Sequence, residues 1–518
     1  MKTIISLFTA IILLTSCGRV YYISIDGDDE NSGKSRDKPW ETIRKLNEID
    51  LSPGTNILFE GGKIFRGTIQ LTNEDKGTHN KTVSISSYGN GKAIIDGGEN
   101  SGLIAENCDY LTVSDLIVKG SGRKTGNQAD GIFLNECDSI EVNNVEIFGF
   151  QHSGLHVHKS RSAVIKHVYA HHNGFAGIHV TGHTGGDGKN YDNEELYIGH
   201  CIAENNPGDP TVTDNHSGNG ILASSVKGGL IEYCEAFNNG WDMPWTGNGP
   251  VGIWIWDCTD FIIQYCISHD NKTAPGAADG GGFDFDGGVS NSILQYNLSY
   301  SNEGPGIGLF EFGAAKTWEN NIVRYNISQN DGTNGAGSLA IWKGETGNMR
   351  NCEIYHNTFY NSNPNGPSLW LYNHWPGFNF RNNIFVYNGS LVFKGHNIED
   401  EVFQGNIYWN LAETLGIEDF KTLEEWALST GKEIIDGRVV GKFQDPLLYF
   451  PGRTSLTDPK KLDAYHLPEY VPVGGSPVID NALDLSLFDL KEAEFDLTGT
   501  RIPVGNKYDI GAIEFLQD

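Results

Sequence analysis

The chain has 518 residues, a formal net charge of -29, 38% hydrophobic residues, 65 glycines and only 3 methionines. That apolar content is enough for a sizeable core, and the wealth of glycine and aromatic residues favours short strands and tight turns over a helical protein. The negative charge excludes unassisted binding of nucleic acid or of a uronate polymer and leaves neutral partners, unless a divalent cation inverts the local sign.

The N-terminus reads "MKTIISLFTAIILLTSCG": one basic residue, an apolar run short of a membrane span, then small residues around Cys17. This is the pattern of a secretory signal. Its "LTSC" ending resembles the lipobox of bacterial lipoproteins. The resemblance implies a signal peptide over residues 1–17, lipidation of Cys17, and a mature protein that is secreted or held in the bacterial cell envelope, meeting the membrane only through acyl chains. Seven other cysteines remain, an odd number without a CxxC pair, which rules out a complete disulfide framework. Next, "DKPWETIRKLNEI" predicts a short helix with Pro39 in its first turn and Trp40, Ile43 and Leu46 on one face, suited to covering an open core.

A repeat organises the middle of the chain. Glycine-led apolar segments recur as "GIFLN" from Gly131, "GLHVH" from Gly154, "GIHVT" from Gly177, "GILAS" from Gly220, "GIWIW" from Gly252 and "GFDFD" from Gly282, each followed by a second strand. Cys201, Cys234, Cys266, Asn297, Asn326 and Asn357 occupy one repeat position. They are expected to stack, the cysteines as small core residues. Asn173, Asn206, Asn239, Asn271 and Asn302 form a second such column, read as turn residues with stacked amides. Repeats that bury a face only by stacking on their neighbours define a solenoid. The predicted class is all-β: a right-handed parallel β-helix with an N-terminal helical cap and a small C-terminal capping region. The β-helix is assigned to residues 20–400 and the capping coils to 401–518, where Thr422, Glu425 and Gly431 mark a capped short helix. The pattern, with the opening "YYISIDGDDENSGKSRDKPWETI" and closing "YDIGAIEF", resembles the pectate-lyase-like β-helix superfamily of carbohydrate-active enzymes.

In "GGFDFDGG", residues 281–288, alternation sends Phe283 and Phe285 inward and Asp284 and Asp286 outward. Aligning "LFEF" so that Phe310 and Phe312 match Phe283 and Phe285 places Glu311 over Asp284. Two outward columns follow. One carries Phe133, His156, His179, Leu222, Trp254, Asp284, Glu311, Ala340 and Trp370; the other carries Asn135, His158, Thr181, Ser224, Trp256, Asp286, Gly313, Trp342 and Tyr372. Flat aromatic faces suit sugar rings, and carboxylates about one strand spacing apart suit a retaining glycosidase. Asp284 is therefore expected as nucleophile, Glu311 as general acid/base and Asp286 as an orienting group. The arrangement resembles β-helix glycoside hydrolases, including β-xylosidase and α-fucosidase families. Trp254, Trp256, Trp342, Trp370, Tyr372, His156, His158 and His179 are expected to bind substrate. So are His216, Trp241 and Trp245, from insertions near residues 182–195, 205–218 and 240–250 read as lying on one edge.

The expected activity is hydrolysis of plant or algal oligosaccharide or polysaccharide fragments without a cofactor and without a metal. A polysaccharide lyase is the alternative, with Asp279, Asp284 and Asp286 holding Ca²⁺ and Lys343 as base. A glycan-binding protein without turnover is the third reading. The oligomeric state stays open.

Overall fold

The central coils each contribute one strand to each of three parallel sheets, so that strand order in space follows coil order. The computed structural model describes residues 19–183, 190–314, 316–364, 367–372, 376–392 and 401–516; the expected signal peptide and lipidated Cys17 lie outside them. Among the described residues the sheets hold 14, 11 and 14 strands. The 11-stranded sheet carries the glycine-led segments, for example Ala176–Thr181, Asn219–Ser224, Val251–Trp256 and Gly281–Phe285. Its inward residues, such as Ile221, Ile253, Phe283 and Leu309, are buried in one continuous core. No described helix is long and apolar enough to cross a membrane.

Both predicted columns stack, and they do so by hydrogen bonding. Cys201 N–H points at Cys234 Sγ and Cys234 N–H at Cys266 Sγ, and the N–H of Cys266 donates to Asn297 Oδ1 at 2.9 Å. Asn297, Asn326, Asn357 and Asn383 then pass backbone and side-chain N–H groups along to Asn406. In the second column Asn173, Asn206, Asn239, Asn271 and Asn302 repeat the pattern and end on Asp331. Asparagine suits this interior because its amide carries both donors and an acceptor, so one residue per coil satisfies the turn above and below. The seven described cysteines are free and buried.

The ends are closed as their sequences suggest, with one difference. Helix α1 spans only Ile43–Leu46, with Thr42 as its N-cap accepting from Lys45 N–H. Pro39 precedes it, outside the first turn, because Trp40 is held in extended pairing with Ile23. Trp40, Ile43 and Leu46 still plug the core. Helix α2, Leu423–Thr430, has Thr422 as N-cap and Gly431 at φ 75° as its left-handed stop. Trp426 of α2 lies against Phe403 and Tyr408, over the last coils. From there the chain runs back along the third sheet, where Tyr296, Tyr325 and Tyr355 pack against Leu467, Tyr470, Val478 and Ile510.

Candidate active site

The strand Gly281–Phe285 sits between Val251–Trp256 on one coil and Ile307–Glu311 on the next. Phe283 and Phe285 face the core as expected. Asp284 faces outward, yet is only 3% exposed. Trp254 pairs with it on one side and Gly308 on the other. A Cβ on Gly308 would stand 2.7 Å from the Phe310 ring and 3.0 Å from Asp284 Oδ1, so glycine here is what lets ring and carboxylate approach. Asp284 Oδ1 is buried without a hydrogen-bond partner.

The register corrects the expected pairing of acids. Phe283, Asp284 and Phe285 align with Ile307, Gly308 and Leu309, three residues earlier than the alignment on "LFEF". Phe310 therefore points outward, paired with Trp342, where Gly313 was expected. Glu311 does not stand over Asp284. Its side chain is fully buried, with Oε2 accepting from Gly288 N–H and Oε1 from the N–H groups of Gly313 and Ala314. It braces the turns behind Asp286 rather than facing the cleft. The signal that fixes the register is the glycine lead itself: Gly306-Ile307 continues Gly252-Ile253 and Gly282-Phe283.

Asp279 completes the acidic group. It lies in the turn before the strand, half-buried, at φ 59°, a conformation that aspartate tolerates. Its Oδ2 accepts one N–H, from Gly249 at 2.9 Å. Burial pushes its pKa up to about 6. Burial also lifts Asp284 and Asp286 well above the usual carboxylate range, and charge repulsion adds to this: Asp286 and Asp279 act on Asp284, Asp279 and Glu311 on Asp286. Asp286 is eased in the other direction by the Gly287 N–H. Asp286 is half-buried, whereas Asp284 is buried with Oδ1 unpartnered, and the two titrate as a coupled pair.

Aromatic residues line both sides. Trp254 is buried and its indole N–H donates to Asn219 Oδ1 at 3.1 Å. Trp256 is half-buried and meets Phe312 edge-on, while Trp370 and Tyr372 stack at 5.6 Å further along. Toward the N-terminal coils, His156 stacks on His179 at 4.6 Å, Phe175 touches His179 and His216, and His216 meets Trp254 at 5.1 Å and 74°. His158 shares Thr181 Oγ with His156. Phe175 and Phe310 are members of this surface that the columns read from sequence did not include.

The insertions do not share one edge. Residues 205–218 and 240–250 join the third sheet to the cleft sheet, whereas the described residues 182–183 follow the cleft-sheet strand Ala176–Thr181 and 190–192 precede Asn193–Gly199 of another sheet. Trp245 belongs to the cleft-side loop: its N–H donates to Asn248 Oδ1, Asn248 donates to Asn215 Oδ1, and Gly249 holds Asp279. Trp241 instead sits 47% exposed over a separate hollow of about 570 Å³ lined by Arg123, Phe148, His171 and His172.

Among the described residues, only Asp130, His152 and His156 bring three metal-ligating atoms within 4.8 Å of one another. Both imidazole Nδ1 atoms already meet Asp130, at 2.5 and 3.0 Å, and this contact overcomes burial to raise the pKa of His152.

Residues 21–351 match the family described as Pel9A-like, right-handed beta-helix region. The chain belongs to this family. A lacto-N-biosidase of Bifidobacterium longum subsp. longum is 23% identical to this Pel9A-like β-helix over 520 aligned residues, covering 80% of the chain and 30% of that protein. The chain thus spans less than a third of that curated relative. Among solved structures, GH136 lacto-N-biosidase from Eubacterium ramulus has TM-score 0.52 at 18% identity, covering 75% of this chain and 67% of its own. XylC in complex with xylose has TM-score 0.51 at 11% identity, covering 96% and 98%. These structural likenesses show the fold alone.

Proposed function

We propose that this protein is a glycoside hydrolase of neutral oligosaccharides, working with Asp279 as proton donor and Asp286 as nucleophile in a retaining reaction. The observation that carries this reading is the group of Asp279, Asp284 and Asp286 at an aromatic-lined surface, whose hydrogen-bonding capacity the protein leaves largely unfilled: Asp284 has a buried oxygen without a partner and Asp279 accepts a single N–H. A general acid must hold its proton near working pH, which Asp279 at about 6 does. Retention requires the two carboxyl groups to stand about 5 to 5.5 Å apart, close enough for a covalent glycosyl intermediate without an interposed water. Asp284, kept neutral, donates a hydrogen bond to the sugar. Retention by stacked Asp284 and Glu311 has lost its geometric basis; retention now rests on Asp279 and Asp286.

The substrate we favour ends in a lacto-N-biose-type disaccharide, because the lacto-N-biosidase relative aligns across 80% of this chain. Plant or algal fragments, expected from the superfamily resemblance alone, have no comparable support. The lyase reading is less well supported as well. Two oxygens on one Ca²⁺ are at most about 4.8 Å apart, and the three cleft aspartates do not meet that spacing as a set, although the Asp130 cluster does. Turnover of 4-nitrophenyl β-lacto-N-bioside with anomer analysis of the released sugar tests the proposal. Release of the β-anomer supports it. An α-product overturns retention, and an unsaturated product from a uronate polymer overturns hydrolysis.

A further inference from the structure

We infer that His216 is an uncharged hydrogen-bond donor, locked in one tautomer, that reads an acceptor oxygen of the sugar lying beside the carboxylates. The inference rests on the hydrolase reading and assigns a specificity-determining residue to it.

The lock begins at Trp254. An indole N–H can only donate, so the atom of Asn219 that meets it at 3.1 Å is the amide oxygen. That choice fixes the other end of the amide as NH₂. One of its hydrogens goes to the Phe175 carbonyl at 3.1 Å, and the other faces His216 Nδ1 at 3.1 Å. A donor facing Nδ1 requires a lone pair there. In the neutral ring the proton is then on Nε2, the remaining hydrogen-bonding atom of the side chain, which has no described protein partner. Burial acts in the same direction, pushing the His216 pKa down to about 4, so the ring stays neutral through the range in which a hydrolase works.

The position suits sugar contact. His216 meets the Trp254 ring edge-on at 5.1 Å, and Trp254 is the rung neighbour of Asp284. The adjacent Asn215 bonds to Asn248, one residue before the Gly249 that holds Asp279. His216 is thus tied through Trp254 to the rung of Asp284, and its neighbour Asn215 through Asn248 to the loop that holds the proton donor. A charged imidazolium there would favour an anionic sugar; a fixed neutral N–H favours a hydroxyl or an amide carbonyl, the oxygens of uncharged sugars. Asn219, made rigid by three partners, acts as the positioning residue for both rings.

The test uses the full-length protein carrying Asp286→Asn, so that binding is read without turnover, and the probe is lacto-N-biose in isothermal titration. Introducing His216→Phe keeps the ring packing but removes the donor. The expected result is a 10- to 100-fold weaker Kd, with the melting temperature unchanged and the ratio of the two proteins' affinities constant between pH 5.5 and 8. Nitrogen-15 NMR of the imidazole should report Nε2–H throughout that range. Equal affinities, an affinity ratio between the two proteins that climbs as pH falls, an Nδ1–H tautomer, or no binding of the disaccharide at all would each overturn the assignment. Absence of turnover in the wild type with binding and its His216 dependence intact would instead sink the hydrolase reading and leave the binding role standing.

Discussion

Two regions of this molecule bury carboxylates, and they treat them in opposite ways. At the ends of the interior ladders, Asp331 and Glu433 have their oxygens engaged: Glu433 accepts from Gly405 N–H, the side chain of Asn406 and the hydroxyl of Tyr408, and Asp331 accepts from Asn302 and Ser328. At the cleft, Asp284 has an oxygen with no partner and Asp279 has a single N–H. Burial raises the pKa in both regions, to about 7 for Glu433 and about 6 for both Asp331 and Asp279. A shifted pKa therefore does not separate structure from chemistry here. Unfilled hydrogen-bonding capacity at an open surface does. By that measure Glu311, with three backbone donors, belongs with the structural acids although it lies next to the cleft.

The comparison breaks most sharply at the cleft. Asp286→Asn and Asp279→Asn should each lower kcat/KM by about 10³-fold or more, the usual scale for losing a nucleophile or an acid, without lowering the melting temperature. A variant that keeps a tenth of wild-type turnover would remove that residue from the mechanism. The reverse outcome is expected at the ladder end. Glu433→Ala leaves buried donors on Gly405, Asn406 and Tyr408 unpaired and should destabilise the protein by about 3 kcal/mol in urea titration, with kcat/KM intact below the transition. Glu311→Gln is the intermediate case. Gln keeps one acceptor oxygen, so kcat should fall about 10-fold as the turns behind Asp286 loosen. A fall as deep as that of Asp286→Asn would return Glu311 to the catalytic group.

Much of the frame was legible because it repeats. The column Cys201, Cys234, Cys266, Asn297, Asn326 and Asn357 fixes the coil length whatever the outer face carries, since a residue that hydrogen-bonds to its own equivalent cannot drift in register. Trp254 over Asp284 and Trp342 over Phe310 sit on that same strand order. The cleft itself was harder to read. Phe-Glu-Phe imitates Phe-Asp-Phe, and alternation fails here because both phases are apolar, Ile307 and Leu309 in one and Phe310 and Phe312 in the other; the leading Gly306 distinguishes them. Asp279 escaped as a proton donor because it sits in a turn, where strand periodicity assigns no face. Its environment is made by Gly249 from a loop 30 residues earlier.

The smallest effect gives the most direct view of how a satisfied acid differs from an idle one. Glu433 titrates near 4.5 when unfolded and near 7 when folded. Between those values the folded chain binds more protons than the unfolded one, so stability from this group is full below pH 4.5 and is lost as pH rises toward 7. The slope from one such group reaches at most about 1.4 kcal/mol per pH unit. Cleft acids and Asp331 tilt the curve the same way, so the informative quantity is the difference between wild type and Glu433→Gln, measured by urea unfolding at pH 4.5, 5.5, 6.5 and 7.5. The variant should lie closest to wild type at the acidic end's proton-bound state and show a shallower decline above it. A variant with the steeper decline would mean that Glu433 is ionised in the folded protein, and the ladder would then end on a charge held by its donors rather than on a neutral acid that joins the ladder as one more amide-like rung.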